Sequence, residues 1–503
     1  MLGTSKTYLE WFQQNGDPSG ERVFFGVIPA YPVFMFIGVA VTIIIAAIRF
    51  KQKGVPLREL ELAIFITIPL GILGASIFGK AFIPHMVWYK AFFFWEPGMS
   101  LFGCLLLGMS SGFGWFYIRS KKTQISMWVY ADCIIPHILI GQAIGRWGNL
   151  FNHEILGDPI AYEQLGWLPE AIKNKLFYFP NLTDFNLVGD WWNNIDSFSG
   201  LRDFLNKPIQ YHQPIFLYES IANLGLWVVI VFGVDNLGRI FSKPKPWDLQ
   251  PKAYPGWYNR QCKSLQEKDL IDVQTQLPIR YKNIKIKTES GESLELKLGF
   301  FQAWNKAYYW YVPDSVQSKD IEDRETEWRN SVDQGLKKLN KIKVDHQIKI
   351  KKTNENYENK MRSLDKNHQK YQQLLNEKKT NIQSEKNKYL NQKQEITNVI
   401  GTWSRKIKGN PLSKELATLH NPNKYFVIYS GVLTGCYVVG YLLIRIILET
   451  QRRPEELFIQ NSLVVDFIIL SLILVGGIII ILLAQFVAPY RYREVHWLYE
   501  KSY

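Results

Sequence analysis

GQAIGRWGNLFNHEILG, residues 141–157, decides how this chain is read. It continues an apolar run that begins near residue 128, then presents an arginine, two asparagines, a histidine, a glutamate and further glycines with no linker between. A helix that only has to stop needs one glycine and a turn. The polar groups therefore require partners elsewhere in the chain, and the apolar half requires a medium in which such runs are stable.

That medium is a lipid bilayer. Of 503 residues 47% are hydrophobic, yet mean hydropathy is near zero, because two unlike regions are averaged. Apolar runs of about 18 residues or more suit a transmembrane helix; seven lie at roughly 27–49, 61–80, 95–118, 128–145, 214–234, 425–448 and 462–488. Between the fifth and sixth lies a polar block, 241–424, with 36 Lys+Arg against 22 Asp+Glu, which carries the whole formal charge of +14. The predicted fold class is an all-α polytopic membrane protein of seven transmembrane helices, divided into 1–240, the inserted block 241–424, and 425–503. Cys104, Cys133, Cys262 and Cys436 show no metal-ligand spacing, so neither a disulfide nor a metal is expected. The first run is too long for a signal-peptide core and is expected to stay in the mature protein.

Short loops rich in Lys and Arg mark the cytoplasmic side. Arg49, Lys51, Lys53 and Arg58 follow the first run and Arg119, Lys121 and Lys122 the third, which places the N-terminus outside. Seven crossings then put the tail, with Arg491, Arg493 and Lys501, inside together with block 241–424, and the acidic loop 151–212 outside. Arg452 and Arg453, just past the sixth run, break the charge rule. At the outer level the spans deliver Tyr31, then Met99, Ser100 and Phe102, then Arg146, then Gln213, Tyr218 and Glu219, and finally the sixth run's polar residues.

In the sixth run Tyr437, Tyr441, Arg445 and Glu449 recur every four residues, with Arg452 three further on, so they share a helical face. An arginine within a span costs roughly 2.5–3.5 kcal/mol on insertion scales and normally faces inward to a partner. Glu449 can be that partner. Arg146, Arg452 and Arg453 need partners at the same depth, and this surplus points to an anionic ligand. Arginine offers a planar fork of donors suited to phosphate, and glycines let backbone N–H groups approach an anion. Arg146, Asn149, Asn152, Glu154 and Gly157 thus read as a headgroup cradle, while Gly141 and Gly145 read as a helix-packing step. His153 reads as a solvated loop residue and His137 as a packed interior one. Asp132, at the other end of the fourth run, reads as an N-cap or the partner of a cation.

GRWGNLFNHEILG, 145–157, resembles the signature G-R-x-G-N-F-x-N-x-E-x-x-G of the bacterial prolipoprotein diacylglyceryl transferases, with Leu150 in place of Phe. Other blocks follow in family order: Tyr31, GILGAS at 71–76, PGMSLFG at 97–103, Asp132 with Pro136, PIFLYES at 214–220, and Arg445, Glu449 and Arg452 before Pro454. The resemblance covers roughly 20–240 and 425–490. It implies transfer of the diacylglyceryl group of phosphatidylglycerol to the lipobox cysteine of a prolipoprotein, in the bacterial plasma membrane near its outer face and with no cofactor. By matching position it implies Arg146 and Arg445 as catalytic arginines, and Asn149, Asn152, Glu154, Gly157, Tyr31, Tyr218 and Glu219 as substrate-binding. Glu449, Arg452 and Asp132 are then structural supports. The sequence departs from the family at Phe102, where a histidine or tyrosine is common, at Ser76 for an arginine, and at Gln213, with His212 one residue away. The rival reading is a non-catalytic lipid-binding scaffold; a transporter is weaker, since no inverted repeat or pair of broken helices is visible.

Family members usually join the fifth and sixth spans briefly, so 241–424 is an insertion. IRYKNIKIKTESGESLELKLGFF, 279–301, alternates around a Ser-Gly turn as a β-hairpin does. From about 315 to 405 apolar residues recur at helical spacing, with Leu375, Ile382, Tyr389 and Ile396 seven apart, a weak coiled coil or helical hairpin. This block reads as a solvated spacer or as a surface for a cytoplasmic partner or self-association. No motif supports nucleic-acid binding.

Overall fold

The computed structural model describes residues 6–80, 88–92, 101–187, 189–241, 285–287, 293–295, 315–364, 369–400, 409–421, 424–453, 457, 462–495, 497 and 499. Met99, Ser100 and Cys262 lie outside these residues, as does most of 279–301. Within that last segment Lys285–Lys287 and Ser293–Glu295 pair antiparallel, with Ile286 opposite Leu294. The chain divides into two compact units, one of Met1–Tyr311, Asn423–Val487 and Leu498–Tyr503, the other of Val312–Pro422 and Ala488–Trp497. The division falls inside the expected block 241–424 and draws part of the tail into the second unit.

Six helices are long and apolar enough to cross a membrane: α1 (Ala30–Gln52), α2 (Leu57–Lys80), α4 (Met127–Asn152), α5 (Ile215–Asn236), α8 (Val432–Glu449) and α9 (Leu463–Arg491). In lipid every backbone polar group must bond internally, which is why these runs are helical. A further helix, α3 (Leu101–Thr123), covers most of the third expected run and lies along α2. Gly74 and Gly103 face each other so closely that a Cβ on either would meet the other's carbonyl. At the far end of this pair Arg119 forks onto Glu59 at 2.7 and 2.5 Å.

Helix α4 is not uniform. Pro136 has no N–H to donate, and around it the chain tightens into a 3-10 turn, Ile135–His137, before resuming as Ile138–Gly145 and Trp147–Asn152. Gly141 packs on α1: a Cβ there would lie 3.0 Å from the Gly38 carbonyl oxygen. Thr42 stitches the crossing, donating to Gly38 O at 2.9 Å and His137 O at 3.3 Å. The expected run ended at 145, but the helix reaches Asn152, so Arg146, Asn149 and Asn152 sit on the span itself rather than past it. Asp132 caps a helix other than its own: it accepts from Gly431 N at 2.7 Å and from Thr434 N and Oγ1 at 2.9 and 2.6 Å, holding the N-terminus of α8. Capping was one of the two roles read for Asp132 in the sequence, and Lys53, the other kind of partner, also acts on this carboxylate through its charge.

The loop after α4 has its own apolar core. The short helix Tyr8–Asn15, opened by a reciprocal Thr7–Glu10 capping box, buries Trp11 and Phe12 against Leu165, Leu176, Phe177, Leu201 and Leu205. His153 is buried here, contrary to the expectation of a solvated residue; its Nδ1 donates to Phe177 O at 2.9 Å.

In the second unit, α6 (Ser315–Met361) and α7 (Gln369–Ile400) form an antiparallel pair. His346 stacks on Tyr389 at 4.5 Å and Asn381 donates to the Tyr357 hydroxyl at 2.7 Å. The root of α6 is fastened by Glu325, which accepts from Asn410 at 3.0 Å and Val495 N at 2.7 Å.

Candidate functional site

Five charged side chains from α4, α5, and the end of α8 with the residues after it form one network. Glu219, fully buried, takes Arg146 on Oε1 at 2.7 Å and Arg452 on Oε2. Glu449, also fully buried, takes Arg445 Nε at 2.7 Å, and Arg452 Nε lies 3.8 Å from it. The chain of contacts is Arg146, Glu219, Arg452, Glu449, Arg445. Among the described residues, three guanidiniums stand against two carboxylates in this network, one positive charge more than negative.

The members differ in access. The Arg146 side chain keeps 20% of its surface and Arg445 10%, whereas Arg452 keeps 1%. Arg146 is thus the most accessible of the three and Arg452 the most enclosed. Burial, and then Arg445, bring the Arg452 guanidinium down to about 10, which leaves it charged at neutral pH. Glu219 is a bridge between cations, a geometry that the sequence reading of it as a substrate contact did not contain. The shared face of α8 is as the spacing indicated: Tyr437 and Tyr441 stack with rings 5.9 Å apart, and Gln142, one turn before Arg146, donates to the Tyr437 hydroxyl at 3.2 Å.

The rest of the signature is placed by backbone. Asn149 is buried, and its carbonyl accepts from Glu154 N at 3.1 Å. Tyr31 lies against Gly148, where a Cβ would stand 2.8 Å from its ring. Asn152 and Tyr218 are half-buried, and Glu154 is exposed. His153 and Ile155 both adopt φ near +56°, a costly conformation for a branched residue such as Ile155. Neighbours hold the segment in place. The Tyr178 hydroxyl accepts from Leu156 N at 3.0 Å and donates to Leu156 O at 2.8 Å; Gly157 N donates to Gln213 O at 2.9 Å. His212 Nδ1 donates to Gly157 O at 2.7 Å, and burial lowers the pKa of this ring. Gly157 itself packs on Ile215, leaving no room for a side chain. Asp132 is not part of this assembly, standing at the opposite end of α4. No motif pointed to Tyr178, since its role depends on the fold of the loop. Among the described residues no His/Cys/Asp/Glu group is arranged to hold a metal ion.

The chain is similar in sequence to known proteins. The family described as prolipoprotein diacylglyceryl transferase matches residues 23–243. The phosphatidylglycerol–prolipoprotein diacylglyceryl transferase of Malacoplasma penetrans is 32% identical over 243 residues, 44% of this chain and 60% of that protein. Its namesake in Halalkalibacterium halodurans is 31% identical over 229 residues, 44% of this chain and 68% of that protein. The protein of that name in Thermotoga maritima is 27% identical over 216 residues, 71% of its length. The chain thus spans less than two thirds of the Malacoplasma relative and somewhat more of the other two.

Proposed function

The chain belongs to the prolipoprotein diacylglyceryl transferase family, and on that premise we propose that it moves the diacylglyceryl group of phosphatidylglycerol onto the lipobox cysteine of a prolipoprotein. The observation that carries this is the buried network, in which the Arg146 and Arg445 side chains keep 20% and 10% of their surface while Glu219, Glu449 and Arg452 hold them. The cysteine sulfur forms a bond to the glyceryl carbon that bears the phosphate, and the carbon–oxygen bond to phosphate breaks. The thiol proton ends on the departing oxygen, so the products are a thioether and glycerol phosphate. Negative charge grows on that oxygen in the transition state, and arginines fixed beforehand stabilise it without reorganising. The same field favours the thiolate.

The six apolar helices and the family support a multi-pass bacterial membrane protein. We place α3 as a seventh crossing, the N-terminus and the arginine network at the outer face, and the inserted block in the cytoplasm, on the distribution of short basic loops. The paired helices α6 and α7 are then where a cytoplasmic partner or a second copy would attach, and transfer does not require them.

The test uses membranes containing the protein, phosphatidylglycerol labelled in its diacylglyceryl part, and a lipobox peptide. Label is expected on the peptide cysteine, and Arg146→Ala or Arg445→Ala is expected to abolish it while insertion persists. An unlabelled peptide sinks the enzyme reading in favour of a lipid-binding scaffold; full turnover in either variant sinks the residue assignment.

A further inference from the structure

Arg453, the residue after the network's central arginine, is exposed, and no carboxylate pairs with it among the described residues. Its guanidinium carbon stands 3.2 Å from the centroid of the Tyr178 ring. A guanidinium stacked on a ring face leaves its rim of N–H donors free to point outward. Tyr178 cannot swing away, because its hydroxyl is bonded to both N–H and C=O of Leu156. The ordering cost of a long arginine side chain is thus largely met before a ligand arrives.

The same ring meets His212 edge-on, with centroids 5.0 Å apart and planes at 79°. His212 gives its Nδ1 proton to Gly157 O, and a carbonyl can only accept, so in the neutral ring Nε2 carries a free lone pair. His212 is itself buried, 5% exposed, but among the described residues its Nε2 is not one of the sealed, unpartnered ring nitrogens that His137 and His153 carry.

We propose that Arg453, Tyr178 and His212 form a second anion station beside the arginine network, built to receive a phosphate monoester. Arg453 takes two unprotonated oxygens in a bidentate fork and Nε2 of His212 accepts the P–OH proton. A monoester carries a P–OH at its monoanion stage; a lipid phosphodiester has none. The station therefore distinguishes the released glycerol phosphate from the incoming headgroup. The identity of the ligand rests on the transferase reading; the chemistry of recognition does not.

The full chain in nanodiscs of zwitterionic lipid is titrated with glycerol phosphate, inorganic phosphate and dimethyl phosphate, with binding followed by 31P NMR. Both P–OH ligands are expected to bind, and dimethyl phosphate about tenfold or more weaker. Arg453→Gln and Tyr178→Leu should each weaken the monoester about tenfold, Tyr178→Phe less because it keeps the stack, and His212→Gln should erase the preference for monoester over diester. Arg453 is exposed, so its variant tests the station without a risk to folding. Unchanged binding in Arg453→Gln overturns the proposal, and so does equal binding of monoester and diester by the unaltered protein. In turnover assays Arg453→Gln should relieve inhibition by glycerol phosphate at constant KM for phosphatidylglycerol; a raised KM with unchanged inhibition would make this a headgroup contact and overturn the product assignment. Binding is read without turnover, so a protein that binds monoester but transfers nothing sinks the transferase reading alone.

Discussion

Glu219 has no solvent contact and faces two guanidiniums, one from α4 and one from beyond α8. Breaking a buried pair by removing one charge typically costs about 3–5 kcal/mol, because the partner is left uncompensated. Here two partners would be left. Glu219→Gln is nearly isosteric, so its effect reports charge rather than shape. Transfer is expected to fall about 100-fold or more, the usual effect of losing a preorganised electrostatic contact, with a lowered melting temperature; wild-type turnover in this variant would remove Glu219 from the assembly. The helical spacing of Arg445 and Glu449 was legible because it is local to one face of α8, whereas Arg452 follows past the end of that helix. The bridge at Glu219 was not, because its cations lie 73 and 233 residues away in the chain. Arg453 was legible only as an exception to the charge rule, since its partner is an aromatic ring supplied by the loop.

At the level of elements, apolar length was enough to locate six of the seven expected spans, while their ends depended on packing that periodicity does not carry. Helix α4 keeps going past Gly145 because the segment from Arg146 is itself packed, Gly148 under Tyr31 and Asn149 within the fold. The loop 151–212 was read from its charge as an acidic outer loop, and its charge does not reveal that it closes around aromatics together with Tyr8–Asn15. That closure sets a pH dependence. Burial lowers His153 from 6.5 to about 4. Between those values the unfolded loop binds a proton that the folded one refuses, so unfolding is favoured as pH falls. The stabilisation is full above about 6.5, declines through that window and levels off below 4, by about 3 kcal/mol in all. Unfolding of the loop followed by the fluorescence of Trp11 and Trp191 should show this slope, and His153→Gln should flatten it. An unchanged slope in the variant would assign the titration elsewhere.

Across the whole molecule, charge is segregated: the block 241–424 holds 36 of the 59 Lys+Arg residues. Charge alone could not reveal how that block divides. The strands Lys285–Lys287 and Ser293–Glu295 fall in the unit of the spans, whereas the long helices form a unit with Ala488–Trp497. Within the second unit the root of α6 and its arm differ in kind. Residues 315–335 carry six acids against three bases, and from here Glu325 fixes Asn410 and Val495. The arm, 336–362 and 369–394, carries fifteen bases against five acids and folds back on itself through His346–Tyr389 and Glu358–Lys378. Antiparallel pairing brings residues near 336 and 400 to the same level, so the arm is a closed loop that can be excised while the root stays. Replacing 337–399 by a short Gly/Ser linker should leave the label-transfer rate within about threefold of the full chain, since loop length costs little thermodynamically. The root bonds from Glu325 are retained, so a loss of folding in the second unit is not expected, and insertion can be scored separately by protease protection. A deletion that inserts normally but transfers nothing would make the arm part of the enzyme rather than an attachment to it.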